Sequence, residues 1–325
     1  MKKLLLLTLL VTLHHSLYSW GFYAHRQINY YAVFMLPPEM LVLYKPNLSF
    51  LTDHAVDPDK RRYAVAAEGA RHYIDIDHYG VYPFDSLPRT FSKAIEKYGK
   101  DTLQAYGIVP WHIQIMLYRL TAAFKEKDQV KILKLSADFG HYIADAHVPL
   151  HVCSNHNGQL TNQVGIHAFW ESRIPELLAA TNWDFLLGKA SYLTNPLSFT
   201  WQRVLESAAA ADSVLRIDRE LTTQFSADRK YSFEPRNGQV IRQYATDYCL
   251  AYNQQLNNMI ERRMQQAIFA VASFWYTAWV NAGQPDLKQL IHKNLSEEDQ
   301  REFERLNQAW LTGKRPDSYR NKDCD

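Results

Sequence analysis

The sequence predicts an all-α protein, and two observations carry that reading. Apolar residues recur at three-to-four-residue steps along almost all of the 325-residue chain, the spacing that places them on one face of a helix. Alternating runs, the mark of half-buried strands, are nearly absent, and no internal repeat or low-complexity segment breaks the pattern.

In chain order, a first helix is predicted from about Tyr23 to Leu36 and is ended by Pro37 and Pro38. Tyr73 to Ile76 alternates, but over too few residues to define a strand. Ile113, Met116, Leu117, Leu120 and Phe124 mark a further helix. Another runs from about Val130 to Ala146 and is stopped by Pro149, which has no amide hydrogen to donate within a helix. Asn155 to Gly165, rich in Asn, Gln and Gly, reads as a surface loop, and helix resumes near Ile166. The longest helical pattern spans about Val240 to Val280, with room for a kink, and closes at Gly283 and Pro285. Lys314 to Asp325 reads as a polar, frayed tail.

The first nineteen residues are of another kind. Lys2 and Lys3 precede an apolar run from Leu4 to Leu13, followed by Ser16 and Ser19, the layout of a secretory signal peptide and too short for a membrane span. Cleavage after Ser19 leaves Trp20 as the first residue and sends the protein to the periplasm or out of the cell. The remaining 306 residues suffice for one large domain over 20–313. Lys+Arg is 36 against 34 for Asp+Glu, and loss of Lys2 and Lys3 balances them. A balanced chain gives no electrostatic argument for a nucleic-acid partner. No later stretch is apolar for long enough to anchor in a bilayer, and nothing points to a protein partner. Cys153, Cys249 and Cys324 are too few and too odd in number for a disulfide framework, and none forms a CxxC pair.

The chemistry concentrates in two short segments. His141 and Asp145 lie four apart, so both project from one helix face; alone, such a pair is more often a surface or hydrogen-bonded core pair. His167 and Glu171 repeat the spacing after a short connection, with His151 between, and together they favour a metal site. Imidazole nitrogens mixed with carboxylate oxygens suit zinc better than magnesium or calcium, which take mostly oxygen.

Trp20-Gly-Phe-Tyr-Ala-His25, the His-Tyr-Ile-Asp run at His72, the His141/Asp145/His151 segment and the His167/Glu171 pair resemble the superfamily of bacterial zinc-dependent phospholipases C and fungal single-strand-specific zinc nucleases. The resemblance reaches from Trp20 to Glu171, roughly half the mature chain. It implies an all-helical fold with three zincs. One would be held by the amino group and carbonyl of Trp20 with His25, so that activity follows export. Another would use Asp57, His72 and His141, with Asp145 bridging to the first, and the third His151, His167 and Glu171. A water shared by two zincs would attack phosphorus while the third steadies the departing oxygen. Asp57 would also orient that water, and Lys60 or Arg61 would steady the phosphoryl oxygens. Asp53, Asp75 and Asp77 are the candidates to replace Asp57. His54, His78, His112, His147, His156 and His292 read as non-ligands.

The two branches of that superfamily leave different marks. The short Trp20–His25 separation is nuclease-like; Glu171 in place of Asp and the short loop between His151 and His167 are phospholipase-like. The expectation is a phospholipase C-like phosphodiesterase acting on a phospholipid headgroup. The alternatives are a nuclease on single-stranded DNA or RNA and a non-catalytic secreted zinc-binding scaffold, which would lack an open coordination position. A metalloprotease is disfavoured because no His-Glu-x-x-His segment occurs.

Overall fold

The computed structural model describes residues 21–236, 238–290 and 295–313. Trp20, the signal-peptide reading over 1–19, His292 and the polar tail from Lys314 lie outside them. The described residues are mostly helical. None of their helices is long and apolar enough to cross a membrane.

Four helices build the centre. Val109–Glu126 and Gln129–Asp145 form an antiparallel hairpin, against which Phe22–Val33 and Met259–Asn281 pack. The first of these buries Val109, Ile113, Met116, Leu120 and Phe124, the face that the spacing predicts. The second starts at Asp128, whose side chain accepts from the Lys131 amide at 3.1 Å, satisfying an otherwise orphaned helix N–H. From Phe139 to Asp145 every residue of that helix is buried. It is therefore walled on all sides, which is what allows a turn carrying His141 and Asp145 to sit away from water.

The remaining described elements close around this centre. Pro196–Thr222, the longest helix, covers the short turn Pro149–Val152 that carries His151. The last helix, Glu297–Thr312, opens on a Ser296/Asp299 capping box. It lies across the short helix Asp57–Arg61: Phe303 meets His54 at 4.0 Å, Trp310 meets Phe22 at 5.4 Å, and Lys134 pairs with Asp299 and Glu302.

The helix expected from Val240 to Val280 is divided. Its beginning belongs to an antiparallel hairpin, Tyr231–Arg236 with Gln239–Tyr244, in which Tyr231 faces Tyr244. Helix follows over Thr246–Gln255 and again over Met259–Asn281. The break falls at Asn257 and Asn258, both at positive φ (51° and 54°), where Asn is tolerated and a helix cannot continue. The Tyr73–Ile76 run forms no strand. Its backbone still bonds outward, Ile74 N–H to the His151 carbonyl and Asp75 N–H to that of Tyr106. The Asn155–Gly165 segment is a series of turns that buries His156 and Asn157 rather than a wholly solvated loop. Cys153 and Cys249 are not disulfide-bonded.

Candidate metal centre

One asparagine organises the first half of the site. Asn29, a turn beyond His25, donates from its amide to the Leu51 carbonyl (3.0 Å) and the Ala137 carbonyl (3.1 Å), tying three segments together. The close approach needs glycine at position 140, where a Cβ would stand 1.9 Å from Asn29 Oδ1. Packed this way, the His25 and His141 rings stack at 3.8 Å, 15° from parallel. His141 Nδ1 is bonded to the Ala55 carbonyl at 2.9 Å, which points Nε2 at its neighbours.

Three buried groups of His and carboxylate side chains result, each with ligand atoms close enough to hold one ion: His25/His141/Asp145, Asp59/His72/His141 and His151/His167/Glu171. The first two share His141. Its Nε2 lies 3.0 Å from His72 Nδ1, 3.3 Å from Asp145 Oδ2 and 3.7 Å from Asp59 Oδ1. Asp145 Oδ2 is also 3.0 Å from His72 Nδ1, and its Oδ1 is 3.5 Å from His25 Nε2 and 3.6 Å from His151 Nδ1. In the third group Glu171 Oε2 stands 3.0 Å from His167 Nε2 and 3.4 Å from His151 Nε2. Glu171 lies on the wide turn Phe169–Arg173, a helical distortion frequent at functional sites. His151 Nδ1 donates to the His72 carbonyl at 2.7 Å, and this bond joins the third group to the other two.

No protein-family model and no curated protein matches this chain.

The electrostatics of these groups rest on their own geometry. Burial works against every charge here. It lowers the His25 pKa to about 4, helped by His141, and raises that of Glu171 to about 7. Burial also opposes charge on His141, yet the Asp145 and Asp59 carboxylates outweigh it and raise the pKa to about 9. Asp59 is held below the usual carboxylate range, against burial, by His141, His72 and His25. Neither Asp59 oxygen receives a hydrogen bond, nor does Asp145 Oδ1 or Glu171 Oε2. Buried acceptors left without donors cost about 1–3 kcal/mol each. A cation answers all of them at once, so the residues fit metal ions.

Among the described residues, the expected ligands are brought together with one exception. Asp57 is not in the cluster; its carboxylate bonds His54 Nδ1 at 2.6 Å and Lys60 Nζ at 3.2 Å. Asp59 stands beside His72 and His141 instead. On the helix Asp57–Arg61 the two aspartates, two residues apart, face nearly opposite ways. His54 and Lys60, at i−3 and i+3 of Asp57, are the sequence signal that it is satisfied locally. Of the named replacements, Asp53 accepts from Ser49 and Asp77 from Ser154, and Asp75 is in none of the groups.

Lys60 lines a cavity of about 540 Å³ with Phe22, Tyr23, Arg26, Glu176, Asn307 and Trp310, whose walls come from the helices that carry His25 and Asp59, from Ile174–Asn182 and from Glu297–Thr312. Arg61 turns away, bonding Asp138 (2.8 Å), Tyr142 and Glu68, and this commits it to the interior rather than to a substrate. Trp20 lies outside the described residues, but its neighbour Gly21 donates to Ser172 Oγ at 3.0 Å, one residue beyond Glu171. A Cβ on Gly21 would stand 2.8 Å from that hydroxyl. His54, His78, His112, His147 and His156 stay outside all three groups.

Proposed function

We propose that this protein is a zinc-dependent hydrolase of phosphate esters, exported and phospholipase C-like, of the phospholipase C and zinc nuclease type that its motifs resemble. The observation that carries the reading is the three buried His/carboxylate groups, two of them fused through His141 and the third joined to these by the His151–His72 hydrogen bond. Tetrahedral zinc with bonds of about 2.0–2.1 Å places its ligand atoms roughly 3.3 Å apart. The nitrogen–oxygen and nitrogen–nitrogen separations here run from 3.0 to 3.7 Å. Imidazole with carboxylate is a donor set for zinc.

Zinc would be held by His25, His141 and Asp145, by Asp59, His72 and His141, and by His151, His167 and Glu171; it supplies a deprotonated water near neutral pH and positive charge for the phosphoryl oxygens. The protein's part is positional. Asp145, a member of the first group, stands 3.0 Å from His72 and 3.6 Å from His151 and would set negative charge between the sites. Asp59 takes the role expected of Asp57: its oxygens accept from the attacking water and fix its direction towards phosphorus. Water adds to phosphorus, the bond to the leaving oxygen breaks, and that oxygen takes a proton. Lys60 and Arg26 set positive charge at the edge of the cavity for the phosphoryl group, and Phe22, Tyr23 and Trp310 give it apolar walls.

The test is side-by-side turnover of phosphatidylcholine and single-stranded DNA by protein whose mature start at Trp20 is confirmed, with and without a chelator. Chelator-sensitive release of diacylglycerol alone is the expected result. Nucleotide release alone assigns the site to the nuclease reading, and zinc binding without turnover of either substrate assigns it to a scaffold.

A further inference from the structure

Glu68 is a fully buried carboxylate that the proposed chemistry does not use. A charge in that position survives only with partners, and the identity of its partners is informative. Arg71 Nη1 donates to Oε2 at 2.5 Å, Arg61 Nη1 to Oε1 at 3.5 Å, and the Tyr142 hydroxyl to Oε1. Arg71 precedes His72, Arg61 follows Asp59 by two residues, and Tyr142 follows His141. Glu68 thus takes one donor from each of the three segments that supply the Asp59/His72/His141 group.

Its own outward contact is with His72. The ring of His72 is bracketed: Nδ1 faces Asp145, His141 and Asp59, while Nε2 lies 3.7 Å from Glu68 Oε1. That Nε2 is buried and makes no hydrogen bond. A neutral imidazole carries one proton, and a carboxylate facing one nitrogen draws the proton there and leaves a lone pair at the other.

We propose that Glu68 is a positioning residue that holds His72 in its Nε2-protonated tautomer, presenting Nδ1 to a metal ion. The inference rests on the metal reading above and deepens it. Without Glu68, a proton on Nδ1 would bond to Asp145 Oδ2 and occupy the direction in which the ion must bind. An outer carboxylate of this kind is worth about 10- to 100-fold in metal affinity. Glu68 reaches the ion only through His72, so its effect is confined to the group that contains His72.

The experiment uses the mature full-length protein and two readouts. Zinc binding is measured site by site in competition with a chromophoric chelator, for wild type, Glu68→Gln and the milder Arg71→Gln, which removes one donor from Glu68 at the rim. The His72 tautomer is read directly in zinc-loaded wild type from its ring-nitrogen NMR shifts. Expected are protonated Nε2 with metallated Nδ1, one ion weakened about 10- to 100-fold in Glu68→Gln and less in Arg71→Gln, and unchanged affinity at His151/His167/Glu171. Metallated Nε2 overturns the proposal even if neither variant folds. Equal affinity at every site in a folded Glu68→Gln protein also overturns it and reduces Glu68 to a structural hub, while leaving the metal reading intact. A wild-type protein that takes up no zinc defeats both.

Discussion

The two ends of the site are built in different ways. His151, His167 and Glu171 come from one stretch of 21 residues, closed by turns and a wide helical turn. The fused pair around His141 draws on four distant segments, at His25, Asp59, His72 and His141/Asp145, and has no geometry until the central helices have packed. One group is a property of local sequence and the other of tertiary structure. The second should therefore be the more sensitive to changes that leave its ligands untouched.

The largest expected effect comes from Asp145, which belongs to the His25/His141 group and stands 3.0 Å from His72 of its neighbour. Asp145→Ala should cost roughly two zinc ions per chain by elemental analysis, against roughly one for Glu171→Gln. Equal losses would mean that Asp145 does not bridge.

Acidity separates the two groups in the zinc-free protein. The folded His141 pKa, about 9, exceeds its ordinary 6.5, so its contribution is complete below pH 6.5 and is lost as pH rises to 9. That loss is on the order of 3 kcal/mol. Glu171, raised from 4.5 to about 7, has the same sign in an earlier window, its contribution fading from pH 4.5 to 7. Denaturation midpoints of the zinc-free protein should fall from pH 6.5 to 9, a decline that zinc abolishes; below pH 6.5 the lowered His25 pKa works against the Glu171 decline, so Glu171→Gln should leave a profile that rises with pH there. A flat profile from pH 6.5 to 9 would contradict the charge assigned to His141.

Gly140→Ala probes the tertiary group through packing alone. The added methyl displaces Asn29 from the Leu51 and Ala137 carbonyls and should cost about 1–3 kcal/mol, with zinc lost first from the His25 side. Urea titration within 0.5 kcal/mol of wild type, roughly the scale of a surface change, would show that the helices can spread without cost.

The smallest effect distinguishes neighbours. Asp57→Asn should lower stability by about 1–3 kcal/mol through its bonds to His54 and Lys60 and leave zinc stoichiometry alone, whereas Asp59→Asn should release an ion. The reverse pattern would restore Asp57 to the cluster.

This same division explains what could be read from the sequence. Helical spacing announced the central helices, and the i,i+4 pairs His141/Asp145 and His167/Glu171 pointed to the site because local geometry alone aligns them. Asp59 was hidden because the choice between it and Asp57 depends on which face of a five-residue helix meets His72. Glu68 was hidden because its partner Tyr142 lies 74 residues along the chain and meets it only after folding. At the hairpin of residues 231–244 the sequence carries two competing signals, the turn dipeptide Asn237-Gly238 between aromatic and β-branched residues and the helical spacing that begins near Val240.

The last described helix lies against the first. With Trp310 on Phe22 and Phe303 on His54, the helix Glu297–Thr312 covers the segments that present His25 and Asp59. A chain cut short before Glu297 would expose apolar rings beside its metal ligands. Loss of the helix Glu297–Thr312 should thus loosen two of the three buried groups from outside them, without touching a single one of their side chains.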